Sequence, residues 1–451
     1  MLASPGPRRA ALVAACATML LATTACGAEK KETEGESPAT PVRLYGTDGN
    51  MQDSFAKEFK QQTGLLKGMK GTTPLPPLTD DFKNRLREID SKVSDYLYAA
   101  EAYDAVAISA IATEVAGTTE PSEIAKQIVG VTNGGQRCDT IAACLQLARA
   151  GKDLAYRGVS VSRSGFTDIG EPSTATYATL HFGQDDQLDN GKTEYLGAGD
   201  QAAASDKAPP AAKRRSRSKR DTGAPLKLGE LLSHTGDLSF VYPPIGAGAR
   251  LAVREVNEAG GVLGEDVVLL PGDDGTNPEV AKATVASHIA AGVHVIIGAG
   301  ASGVSRAVLP DVIAAGRILF SPANTDAGLS DIDDNGLYFR TAPSDVLQGQ
   351  ALADMLLRDG SSKVALVARK DSYGEGLQNI VKAKLEQAGH SSDDVRLFNY
   401  EPPGPDSPPI DFSAGAREIK EFGADAVVVI GFAESARVIE ALAAAGVEFQ
   451  Q

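Results

Sequence analysis

The sequence predicts an α/β protein built on doubly wound parallel sheets, and three observations carry that expectation. Short apolar runs such as Val293-His294-Val295-Ile296-Ile297-Gly298 alternate with stretches of helical periodicity, the pattern of strands buried on both faces and covered by helices. The alternation repeats in a second block, from Lys363 onward. The composition is that of a globular chain: 42% hydrophobic and 23% charged residues over 451 positions, enough for two or three domains.

Composition also narrows function. With 44 Lys and Arg against 59 Asp and Glu, the net charge of -15 repels phosphate backbones, and no nucleic-acid partner is expected. Trp is absent and His numbers only five, with no HExxH, CxxC or P-loop sequence, so no metal site, no cofactor and no catalytic residues are expected. The run Gly298-Ala299-Gly300-Ala301-Ser302-Gly303 is only a partial dinucleotide fingerprint, better explained by structural glycines.

From the N-terminus, Arg8-Arg9 and the apolar run Ala10 to Ala25 have the layout of a signal peptide and fall short of the ~20 residues of a membrane span. The junction Ala25-Cys26-Gly27 resembles a bacterial lipobox, which makes Cys26 the expected lipidation site; plain secretion with an incidental Cys26 is the alternative. Residues 26–40 then read as a polar tether. Export implies an oxidising compartment, in which Cys138 and Cys144 can close a short disulfide or remain two buried thiols.

Past the tether, Pro41 to Gly49 reads as a strand and a Gly-rich turn, followed by helices at Met51 to Thr63, Phe82 to Lys92, Tyr98 to Gly117 and Pro121 to Gly130. Short strands are expected around Gly158 and at Thr174 to Phe182. A low-complexity stretch, 197–225, contains Lys213-Arg214-Arg215-Ser216-Arg217-Ser218-Lys219-Arg220 and reads as a solvated linker, with polyanion binding or proteolysis as alternatives. Beyond it come a strand at Leu226 to Leu232, a helix at Ile245 to Ala259 and a strand at Asp266 to Leu270. A helix at Pro278 to Ala291, the Val293 strand, a helix at Ser302 to Ala315 and a strand at Ile318 to Phe320 follow. The second repeat gives strands at Lys363 to Ala368 and Ala424 to Gly431, helices at Gly376 to Gly389 and Ser435 to Ala445, and a further strand due at Phe449.

The stretch Leu226 to Gln451 is similar to the N-terminal two-thirds of the branched-chain amino acid (Leu/Ile/Val) binding protein family of ABC transporters. The landmarks are Asn257-Glu258-Ala259-Gly260-Gly261-Val262-Leu263-Gly264, Ser321-Pro322-Ala323-Asn324-Thr325, Phe339-Arg340-Thr341-Ala342-Pro343-Ser344-Asp345 and Asp371-Ser372-Tyr373-Gly374-Glu375-Gly376. The block Val42 to about Leu196 resembles the C-terminal third of the same family, through Tyr45-Gly46-Thr47-Asp48-Gly49, Tyr103-Asp104-Ala105-Val106 and Gly170-Glu171-Pro172-Ser173. The order is swapped, which suggests a circular permutation; a chimeric, non-binding product is the competing reading. The resemblance implies a type I periplasmic-binding fold of two lobes with an interlobe cleft. The first lobe would span 226–342 and the second 343–451, completed by 41–77, with 41–196 contributing to both.

What the resemblance implies for function is an exported lipoprotein, anchored at the outer face of the cell membrane, that captures an amino acid or similar small polar ligand. It would act as a monomer and deliver the ligand to an ABC permease; a lipid-anchored sensor would use the same fold. Ser302 and Thr325 follow strands at helix starts, where hydroxyls and free N–H groups cradle a carboxylate, or they are ordinary N-caps. By resemblance, Ala323 and Thr325 bind ligand through main chain and hydroxyl. Asp48 matches the family's acceptor of the α-ammonium, against the alternative of an Asx-turn. Tyr373 and Phe432 match cleft aromatics, and Phe240 and Tyr242 lie where an apolar wall would form, although each could equally be core.

Overall fold

The computed structural model describes residues 41–59, 63–207, 224–404 and 408–451. The signal, the tether, Cys26 and the basic run 213–220 lie outside the described residues. Two sheets organise the chain. The smaller has five strands in the spatial order Tyr338–Arg340, Ile318–Ser321, Val295–Gly298, Lys227–Leu231 and Val268–Leu270, all parallel. Its central strands are buried throughout, as their continuous Val/Ile/Leu runs require when helices cover both faces.

The larger sheet has seven strands, ordered Val395–Tyr400, Val364–Arg369, Ala426–Ile430, Arg43–Gly46, Lys70–Pro74, Thr174–His181 and Glu194–Gly199. The first five run parallel, and the last two are antiparallel additions, so this sheet is mixed. Arg43–Gly46 is therefore interior, held between Ala426–Ile430 on one side and Lys70–Pro74 on the other. Nearby, Val42 donates its N–H to the Glu448 carbonyl at 2.7 Å and accepts from the Gln450 N–H at 2.8 Å. Thr40–Gln451 forms one compact unit containing both sheets.

Helix Ala99–Ala116 is apolar on nearly every side and buried along most of its length, as a helix without a polar face must be. It packs along helix Tyr242–Glu258 in the five-stranded lobe, where the backbones come close. A Cβ on Gly248 would stand 2.2 Å from the Ala99 carbonyl oxygen, so only glycine fits. Cys138 and Cys144 form a disulfide beside this helix layer.

Several elements differ from expectation. Instead of a helix over Met51 to Thr63 there is a 3-10 segment, Asp53–Glu58; Gln52 supplies no side-chain cap, and the Asp53 carboxylate accepts the Leu188 N–H across the fold. Near Gly158 the strand is Leu154–Tyr156, and Gly158 itself follows it. Phe449 makes an isolated bridge with Val42, not a full strand. Residues 197–199, expected to open the linker, complete the strand Glu194–Gly199 by pairing with Thr174–His181. Helix Ser372–Gln387 begins four residues earlier than expected, because the Asp371 carboxylate accepts the Gly374 N–H and caps it.

Candidate functional site

The loops at the carboxyl ends of the parallel strands converge between the two sheets, where doubly wound folds place their ligands. Asp48 and Gly49 follow strand Arg43–Gly46, and Phe432 follows Ala426–Ile430. Opposite them, Gly300 to Ser302 follow Val295–Gly298, Ala323 and Thr325 follow Ile318–Ser321, and Leu238 and Val241 come after Lys227–Leu231. Together with Leu97, Tyr98 and Tyr373 these residues line one narrow pocket with about 20 Å³ of free volume, room for about one water molecule.

Among the described residues Asp48 is the only charged side chain in that lining. Its Oδ1 accepts hydrogen bonds from the Tyr373 hydroxyl and the Gln348 amide, both at 2.9 Å, and its Oδ2 accepts from the Tyr98 hydroxyl at 2.8 Å. All three donors are neutral, and among the described residues Asp48 forms no ion pair. Burial raises its pKa from the ordinary carboxylate value, and the bonds from Gln348, Tyr98 and Tyr373 oppose that shift. The turn does not consume the carboxylate: the Thr47 N–H is taken by Asn50 Oδ1 at 2.9 Å, and the Asn50 N–H returns to the Thr47 carbonyl. Asn50 thus makes the turn that Asp48 could have made, leaving Asp48 to face the pocket.

On the opposite wall, helix Ser302–Ala314 begins with Ala301 in the capping position and no side chain capping it. Its first N–H groups carry the positive end of the helix dipole, suited to a carboxylate. The Ser302 hydroxyl accepts the Asp326 N–H at 3.3 Å. The Thr325 hydroxyl donates to Asp345 Oδ2 at 3.1 Å, and the Asp345 N–H binds the Thr325 carbonyl at 2.7 Å, so neither hydroxyl is an N-cap of its own helix. Ala323 donates its N–H to Ser321 Oγ at 3.2 Å.

Of the eight ligand residues expected from sequence, Asp48, Ser302, Ala323, Thr325, Tyr373 and Phe432 are brought together here. Phe432 stacks on Tyr373 with centroids 5.4 Å apart, and the Arg369 guanidinium lies over its ring, 3.8 Å from the centroid. Phe240 and Tyr242 are not brought to the pocket. The segment Ser239–Val241 is a 3-10 turn, whose period of three puts Leu238 and Val241 on the pocket side and turns Phe240 to a recess beside Pro243 and Pro244. Tyr242 packs on its own lobe, its ring 3.7 Å from that of His234 and its hydroxyl 2.9 Å from Arg250.

Sequence reasoning missed Tyr98, Gln348 and Asp345. Tyr98 precedes helix Ala99–Ala116 at φ 58°, a conformation with no sequence signal when the residue is not Gly, Asn or Asp. Its helix belongs to the five-stranded lobe, so its bond to Asp48 crosses the cleft. Asp345, fully buried, lies in the quoted Phe339 to Asp345 landmark; burial and then the Asp48 charge raise its pKa well above the usual carboxylate range, and its Oδ1 has no partner.

The two-lobed α/β fold thus sets a buried carboxylate, without a cation beside it among the described residues, opposite a helix start that no side chain caps. The chain belongs to the periplasmic binding protein family, whose model matches residues 225–451. That family comprises solute-binding proteins, not enzymes. Over 212 residues the chain is 29% identical to Leu/Ile/Val-binding protein homolog 3 of Brucella melitensis, covering 46% of this chain and 55% of that one. It is 32% identical over 169 residues to Leu/Ile/Val-binding protein BraC3 of Rhizobium johnstonii, covering 37% and 45%. The chain therefore spans about half the length of the curated relatives it matches. Among solved structures it is similar to the branched-chain amino acid transporter substrate-binding protein LivJ of Streptococcus pneumoniae, in complex with isoleucine. That likeness is 23% identical, covers 50% of this chain and 63% of that one, and has a TM-score of 0.42.

Proposed function

We propose that this chain is an exported lipoprotein, acylated at Cys26, that captures a zwitterionic amino acid by closing its two lobes and presents it to an ABC permease. The observation that carries this reading is Asp48: a buried carboxylate bonded only by neutral side-chain donors, with no cation beside it among the described residues. Burying a carboxylate without a counter-charge is costly, and a ligand ammonium supplies that charge. The ligand's carboxylate would lie against the start of helix Ser302–Ala314, with Ala323 and Thr325 alongside. The free volume of about 20 Å³ is too small for an amino acid, so entry requires the lobes to part and binding shifts the population of closed forms.

The same reading includes the permuted order of the two blocks. It is supported by the interior position of Arg43–Gly46 in the seven-stranded sheet, beside Ala426–Ile430 from the other end of the chain.

Titration calorimetry against amino acids and their des-amino and decarboxylated analogues tests the binding reading. An amino acid is expected to bind, and loss of either charged group to weaken it at least tenfold. Asp48→Asn should weaken the amino acid by roughly a hundredfold, about 3 kcal/mol for a buried charge-assisted contact, while barely changing the des-amino analogue. Equal binding of the des-amino analogue to the unaltered protein would sink the assignment of Asp48.

A further inference from the structure

Asp48 is not the only carboxylate that closure of the cleft buries. Asp345 opens helix Asp345–Arg358 and is fully buried. One turn along that helix Gln348 donates to Asp48 Oδ1 at 2.9 Å, so the two carboxylates share one wall of the cleft. The helix packs on helix Ser372–Gln387 and strand Lys70–Pro74 of the seven-stranded lobe. Thr325, whose hydroxyl donates to Asp345 Oδ2 at 3.1 Å, follows a strand of the five-stranded lobe, and Tyr98, a donor to Asp48, also comes from that lobe. Parting the lobes therefore takes Thr325 and Tyr98 off the pair and lets water reach both carboxylates. Closing them buries both at once.

Among the described residues no cation is free to balance Asp345. Arg340 is the cation that faces it, but its five N–H donors are engaged by Glu171, by the Asn324 and Asp326 carbonyls and by Ser330 Oγ, and its charge is paired with Glu171. Asp326, another carboxylate facing Asp345, is paired with Arg306 at 2.6 Å. The other titratable neighbours are the hydroxyls of Tyr98, Tyr177 and Tyr373, which burial keeps neutral. The start of the helix offers a partial charge, which does not balance a full one. Asp345 Oδ1, moreover, has no partner among the described residues. One ligand ammonium balances one carboxylate, and Asp48 faces the pocket to receive it. A second charge left on an unpartnered buried oxygen is the unfavourable arrangement, whereas a proton on Oδ1 removes it and leaves Oδ2 to accept from Thr325.

We propose that capture is coupled to proton uptake: as the lobes close on an amino acid, Asp345 takes one proton from solvent, and the bound complex holds Asp48 ionised and Asp345 neutral. The proposal rests on the binding of the ammonium at Asp48 and adds the proton that accompanies it. In the closed protein burial and then the charge of Asp48 favour the neutral form of Asp345; in the open one, water and the helix start favour the ionised form. A group that gains a proton on binding makes affinity weaken as pH rises, by up to about tenfold per pH unit. Asp48, which must be ionised to receive the ammonium, gives the opposite sign.

The test is titration calorimetry on the full chain with the standard amino acids whose side chains do not titrate near neutral pH, the tightest binder then being measured in buffers of different ionisation enthalpy. At about pH 7.5 the observed heat should follow the buffer with a slope of roughly half to one proton taken up per ligand, and affinity should weaken at least fivefold from about pH 6.5 to about pH 8.5. Asp345→Asn keeps an uncharged group of the same shape. It should bind within about threefold of the unaltered protein at about pH 6.5, lose the uptake and flatten the profile, with a melting curve that shows it folds. Heat and affinity in the unaltered protein that depend on neither buffer nor pH would overturn the proposal and leave the head-group reading standing. An uptake that persists in Asp345→Asn would overturn it too, by assigning the proton to another group. If none of these amino acids binds, or the des-amino analogue binds as tightly as the amino acid, the head-group reading fails and takes the proposal with it.

Discussion

Asp48 and Glu101 show how burial alone sets the behaviour of a carboxylate. Asp48 keeps three neutral donors; Glu101, in the first turn of helix Ala99–Ala116, has an Oε2 with no partner among the described residues, and burial pushes its pKa up to about 8. A carboxyl raised in the folded state binds its proton more tightly there than in the unfolded chain. Stability from this group is therefore greatest below the unfolded value near 4.5 and falls as pH rises toward 8. Glu101→Gln is expected to flatten that fall and to stabilise the protein at pH 8 by roughly 1–3 kcal/mol, read from urea unfolding at pH 5 and pH 8. An unchanged slope would mean that Glu101 reaches water. For Asp48 the linkage appears in binding: the ionised form is the one that accepts an ammonium, so affinity should weaken as pH falls through its raised pKa, and Asp48→Asn should remove that dependence.

Among the elements, the tie between the five-stranded sheet and the segment ahead of strand Thr174–His181 stands out. Arg340, 1% exposed, pairs with Glu171 and donates to the Asn324 carbonyl at 3.2 Å, the Asp326 carbonyl at 2.9 Å and Ser330 Oγ at 2.7 Å. Glu171→Ala would leave a buried guanidinium without its counter-charge, a loss of about 3–5 kcal/mol expected in chemical denaturation. Replacing both partners by apolar residues of similar volume should recover most of it. A loss below about 1 kcal/mol for the single variant would show that water already serves Arg340.

How much of this was legible in the sequence follows from burial. Strands such as Val295–Gly298 and Ala426–Ile430 were legible because both faces are apolar. Val395–Tyr400 was not, because it is a sheet edge with an exposed middle and a mixed Val-Arg-Leu-Phe-Asn-Tyr sequence. Helix Asp345–Arg358 was overlooked behind the landmark that contains its first residue. Residues at strand ends meet in the pocket because strand-end loops are identifiable in sequence, and Phe240 lies outside it because a single 3-10 turn sets which of its neighbours faces the pocket. Tyr98 and Gln348 reach Asp48 from distant parts of the chain, through packing that no local pattern announces.

At the scale of the molecule, the two blocks of sequence are interleaved in one sheet. Residues 224–451 alone would leave Ala426–Ile430 without its neighbour Arg43–Gly46 and expose an apolar edge. That fragment is expected to show no cooperative melt, and one should return when residues 41–207 are supplied as a separate chain. A fragment 224–451 that melts alone at the midpoint of the whole protein would show that the shared sheet contributes little to stability.

Capture of a zwitterion between the lobes is tested most directly by a crystal structure of the protein with the amino acid that binds it most tightly. The expected result places the ligand's ammonium within about 3.2 Å of Asp48, with its carboxylate against the N–H groups at the start of helix Ser302–Ala314. A ligand bound elsewhere, or one whose ammonium points away from Asp48, would contradict the account.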